Sequence, residues 1–175
     1  MALAPTLATI EALYRKVERE AYRAFHAQSP LHKADHFYNF CVTAHSLRDY
    51  FFKRKGIVGQ PAKKPYHQLW DKNPALLAAG EIANSSKHFT LRWPPQTRGV
   101  RAIKSGFMNI YQAQSGSLSE VPVRAPDISV RLSDGKRLKL YQFTEDILHY
   151  WKAYLGAEGI RIRRQPFRQL SGPPD

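Results

Sequence analysis

From Leu7 to Ala27 apolar residues recur every three or four positions, at Leu7, Ile10, Tyr14, Val17, Ala21, Ala24 and Phe25. This spacing predicts an amphipathic helix, with Thr6 as its cap and Arg15, Lys16, Arg19 and Arg23 on its outer surface. A second helix is expected from Pro30 or His32 to Lys53, its inner stripe formed by Phe37, Phe40, Cys41, Ala44, Leu47 or Arg48, and Phe51. The stretch KRKGIVGQPAKKPYHQ (residues 53–68) then collects glycine, proline and lysine and reads as a basic, mobile connection. A third helix opens at Asn73, a good N-cap, with Pro74 at the first helical position. It carries Leu76, Leu77, Gly80, Ala83, Asn84, Lys87, His88 and Leu91 up to the Trp93-Pro94-Pro95 stop.

Beyond Pro95 the period shortens to two. Ile128, Val130 and Leu132 face one way, and Leu138 and Leu140 follow after Ser133-Asp134-Gly135-Lys136, an Asp-Gly hairpin signal. Two or three antiparallel strands are expected between about 98 and 142, then a last helix capped by Thr144 and ended by Gly156. The fold class is therefore mostly α (α+β): a helical bundle of about four long helices with a small antiparallel β-hairpin insertion before the last helix. Residues 1–158 form one domain with the insertion at about 98–142, and 159–175 form a basic flexible tail.

Charge changes the picture most. The 175-residue chain carries 27 Lys and Arg against 14 Asp and Glu, a net +13. Such a surface steers polyanions, which puts nucleic acid first among partners, ahead of a generally basic protein with no such ligand. The N-terminal segment turns charged and amphipathic within a few residues, unlike a secretory signal, and no apolar run has membrane-spanning length, so a soluble, cytoplasmic protein with no membrane partner is expected. Cys41, the single cysteine, stands among apolar residues and reads as core.

Two polar pairs stand out. His45 and Asp49 are one turn apart, about 80° and 120° from Phe37 on a helical wheel of 100° per residue, at the flank of the apolar stripe. Asn84 and His88 share a face with Leu77, Gly80 and Leu91. A glycine inside a helix costs about 1 kcal/mol relative to alanine, so Gly80 signals close approach of another helix or a ligand. If the two helices pack together, His45, Asp49, Asn84 and His88 meet, either as a site or as a buried network that satisfies itself. His32, Asp35 and His36 offer a weaker metal option at a helix start. No activated nucleophile or phosphate-cradling glycine loop is evident. Arg131, Arg137 and Lys139 alternate with the apolar residues of the hairpin and should line its outer face near Tyr141, which suits RNA or merely guards an edge. Arg161, Arg163 and Arg164 in the tail read as a phosphate-binding arm or a solvated end.

The segment ANSSKH (residues 83–88) resembles the short motif of HEPN domains (higher eukaryotes and prokaryotes nucleotide-binding): Arg, a polar residue, three variable residues, then His. Ala83 stands where the motif has its arginine, and Lys87 or Arg92 would have to replace that charge. The resemblance implies a small helical bundle, a homodimer, and an RNA-directed role in a prokaryotic defence, phage or stress system. It also implies a metal-independent endoribonuclease without cofactor as one reading. In that reading His88 is the general acid/base, Asn84 positions it, and His45 with Asp49 supports proton transfer. Lys87, Arg92, Arg131, Arg137, Lys139, Arg161, Arg163 and Arg164 would hold the nucleic acid. The other reading is a non-catalytic basic binding module, an adaptor or inhibitor acting on a nucleic-acid-handling partner.

Overall fold

The fold is that of a computed structural model, which describes residues 5–85, 95–114 and 117–163, of which 103–114 and 117–124 are described in backbone only. It is mostly helical with a small antiparallel sheet. Among the described residues five α-helices occur, α1 (Ile10–His26), α2 (Pro30–Lys55), α3 (Gln60–Asp71), α4 (Pro74–Ser85) and α5 (Leu140–Ala157), after a short 3-10 turn at Pro5–Leu7. Three strands, β1 (Gly99–Gln114), β2 (Ser117–Arg131) and β3 (Arg137–Lys139), lie between α4 and α5 in the order β1-β2-β3.

The stripes read from the sequence become the core. Ile10, Tyr14, Val17, Ala21 and Ala24 of the first stripe are buried and Leu13 joins them, while Leu7 and Phe25 are half-buried; Phe37, Phe40, Cys41, Ala44, Leu47 and Phe51 of α2 are buried. From α5, Phe143, Ile147, Leu148, Trp151 and Leu155 close the same core. The Tyr14 hydroxyl donates to the Leu148 carbonyl at 3.0 Å, tying α1 to α5. Burial pushes the Cys41 thiol pKa upward and leaves it a small apolar group.

Lys33 is buried, and its ammonium donates to the carbonyls of Ala24 and Phe25 at 2.8 and 2.7 Å. Those carbonyls have no acceptor role inside the last turn of α1, so the lysine supplies what the helix end lacks. Burial lowers its pKa, and the nearby Asp127 of β2 works the other way.

Several expected boundaries move. Thr9, not Thr6, caps α1, accepting from the Ala12 amide at 3.1 Å. Asn73 caps α4 as expected, its Oδ1 accepting from Ala75 and Leu76. The α5 helix begins at Leu140 with Lys139 as N-cap, so Thr144 lies inside it and turns its hydroxyl to the Tyr141 carbonyl. Gly156 also lies inside α5. The chain leaves the helix at Gly159, whose φ of 77° is the left-handed conformation glycine tolerates. The Ile160 amide reaches back to the Leu155 carbonyl at 2.8 Å, and both side chains are buried.

The largest correction is α3, where a mobile connection was expected. Pro61 falls in the first turn, where it is tolerated, while Pro65 lies inside the helix and forfeits a hydrogen bond. Trp70 outweighs that cost. It is fully buried, with ring centroids 5.7, 5.3 and 5.3 Å from Phe51, Phe52 and Trp151. An interior proline costs about 3 kcal/mol, and truncating a buried tryptophan costs about 3–5 kcal/mol.

The strands form a long ribbon on a short base. At about 3.3 Å per residue β1 spans roughly 50 Å, and a register shift between Ile103 and Gly106 interrupts its pairing with β2. Only the base carries a third strand, β3, which pairs Ser129–Arg131 with Arg137–Lys139 across the Asp134-Gly135 turn. Ile128, Val130 and Leu138 face the core there.

Candidate nucleic-acid interface and helix seam

Two places bring expected functional residues together. The first is the seam between α2 and α4, which pack side by side. Gly80 faces the His45 imidazole. A Cβ on Gly80 would stand 3.0 Å from Nδ1 and 3.2 Å from Cε1 of that ring. The missing side chain is therefore what admits the imidazole against the backbone of α4. Asn84 follows one turn later, half-buried at the same seam, and Ala83 is buried.

Asp49 is exposed. Its charge acts on His67 of α3, where burial and then the Arg48 guanidinium hold the imidazole below its usual pKa against the pull of Asp71 and Asp49. Arg48 is buried, one turn from His45. It bonds Asp71 at 2.9 Å and lies 5.5 Å over the Trp70 ring. The sequence left Leu47 and Arg48 as alternatives on the inner stripe; both are buried. His88, Lys87 and Arg92 lie outside the described residues, as does Arg164.

His36, of the metal option, faces Glu20 at 3.2 Å, while His32 and Asp35 are exposed. Glu20 also takes Arg23 at 3.1 Å and Lys16 at 3.9 Å, so it is a buried anion shared by cations. Among the described residues no three His, Cys, Asp or Glu gather as a metal would need.

The second place is the base of the sheet. Arg131 and Arg137 are direct cross-strand partners, and Ser129 pairs with both Arg101 and Lys139. Directly opposed residues share a face, so Arg101, Arg131, Arg137 and Lys139 stand on one side of the sheet. All four are exposed, as expected of Arg131, Arg137 and Lys139. Exposed Arg98 adds its guanidinium over the β2–β3 turn, where Nη1 would be 3.3 Å from a Cβ on Gly135. None of these five forms an ion pair among the described residues. Arg98 and Arg101 were not singled out from the sequence, because only the register shows which residues of β1 oppose the cations of β2. The Arg161 and Arg163 side chains are exposed just past α5.

No protein-family profile, no curated protein and no solved structure matches this chain. No helix among the described residues is long and apolar enough to cross a membrane. The functional reading therefore rests on the geometry of these two places.

Proposed function

We propose that this protein binds RNA through the cationic face at the base of its sheet. One observation carries the reading: Arg131 and Arg137 are set directly opposite each other, within a group of exposed cations that have no ion-pair partner among the described residues. Like charges in that relation destabilise a sheet by a few tenths of a kcal/mol. A polyanion removes that repulsion and releases its own counterions on binding. The test is a fluorescence-anisotropy titration of labelled RNA against salt. Affinity should fall steeply as salt rises, and R131Q/R137Q should weaken binding and flatten the salt slope by about two. Unchanged affinity in that variant would remove the reading.

A second reading adds catalysis at the seam, in keeping with the HEPN-like motif and a role in a defence or stress system. The observation favouring it is Gly80, which presses the His45 imidazole to within a turn of Asn84. In this reading His88 and His45 handle protons, Asn84 orients an imidazole, and the substrate's own 2′-hydroxyl attacks. RNA cleavage should then survive chelator and vanish in His88→Ala, with RNA affinity retained. Intact RNA after incubation with the wild-type protein would leave a binding module, an adaptor or inhibitor beside a nucleic-acid-handling partner.

A further inference from the structure

The cations on the sheet adjoin a row of aromatic rings that they do not account for. Tyr141 is 56% exposed, two residues beyond Lys139, in the first turn of α5. Its ring lies 5.7 Å from Phe25, Phe25 lies 5.1 Å from His26, and His26 lies 4.0 Å from Tyr22. The last three belong to the end of α1 and are half-buried.

Hydrogen bonds brace the helix end that carries part of this row. The His26 Nδ1–H donates to the Tyr22 carbonyl at 2.9 Å, which fixes its tautomer and turns its ring across the helix end. The buried Lys33 clamps the carbonyls of Ala24 and Phe25 from behind. Asp127 of β2 lies close enough to raise the Lys33 pKa against the effect of burial, so the strand bearing Arg131 passes near this helix end.

We infer that the ligand is single-stranded nucleic acid, its phosphates on Lys139, Arg137 and Arg131 and its bases stacked on the row that starts at Tyr141 and runs over Phe25 and His26. This rests on the reading of the cationic face. Charge alone serves a duplex equally well, but the rings serve only unstacked bases, since bases inside a duplex keep their faces against each other. Stacking of this kind is tolerant of sequence because every base has a π-face.

The test compares a labelled oligouridylate with a ribose-phosphate strand of the same length that carries no bases, each titrated with full-length protein at fixed salt. Tyr141→Ala should weaken oligouridylate binding about tenfold and leave the base-free strand unaffected, while Tyr141→Phe should keep wild-type affinity. R137Q and K139Q should weaken both strands alike. If Tyr141→Ala weakens both strands equally, or neither, the stacking inference falls and the cationic face stands. If R137Q and K139Q are without effect on either strand, the cationic face falls with it.

Discussion

Gly80→Ala sets two effects of similar size against each other. Alanine is the better helix former by about 1 kcal/mol, so in an open helix the change would stabilise. Here the new methyl would lie 3.0 Å from Nδ1 and 3.2 Å from Cε1 of His45. Ordinary carbon contacts need about 3.5–4.0 Å. The ring is half-buried between two helices, so either it or α4 must yield by a few tenths of an ångström. Overpacking of this kind costs about 1–3 kcal/mol, which leaves a net loss of up to about 2 kcal/mol after the propensity gain. In a His45→Ala background the obstacle is gone, and the same substitution should stabilise by about 1 kcal/mol. A double-mutant cycle in urea should therefore return a coupling of about 1–3 kcal/mol. If Gly80→Ala stabilises both backgrounds equally, the contact does not explain the glycine.

Asn73→Ala should cost about 1 kcal/mol in the same assay, because it removes the side chain that accepts from Ala75 and Leu76 at the start of α4. Burial, then Glu158 and neighbouring tyrosines, push the Tyr154 hydroxyl up to about 12. The unfolded group titrates near about 10, so its contribution is intact below that pH and is lost as pH rises through about 12. Tyr154→Phe should accordingly lose less stability than wild type over that window in alkaline melts. Arg131→Thr should raise the melting temperature slightly at low salt by relieving its opposition to Arg137, a gain that fades as salt is added.

Local pattern carried most of the helices, because α1, α2 and α5 each bury one continuous stripe that a single segment reveals. The α3 helix was hidden for the opposite reason. Its local signals, Gly56, Gly59, Pro61 and Pro65, all argue for a loop, while what holds it is Trp70 against Phe51, Phe52 and Trp151 from distant parts of the chain. The hairpin signal at Asp134-Gly135 correctly marked the turn between β2 and β3. The longer pairing of β1 with β2 had only loose alternation to announce it. At the seam, the cost of a helical glycine pointed to a close approach, and the approaching group is His45. Helical spacing put Asp49 beside His45, but it could not show that Asp49 is exposed and acts on His67, since α3 itself was missed.

The hydrogen bond from Tyr14 to Leu148 joins residues 134 positions apart, and that distance bears on how the chain is made. The apolar faces of α1 and α2 leave the ribosome well before Phe143, Ile147 and Trp151 of α5, which cover them. Until Ile160 emerges and seals the end of α5 against Leu155, the nascent protein presents an open aromatic trough. Synthesis proceeds at about 5–20 residues per second, so the trough stays uncovered for several seconds on each translating ribosome. A message truncated before α5 would release a chain that holds α1 and α2 but cannot close them, and holdase chaperones should retain that fragment while letting the chain that includes α5 go.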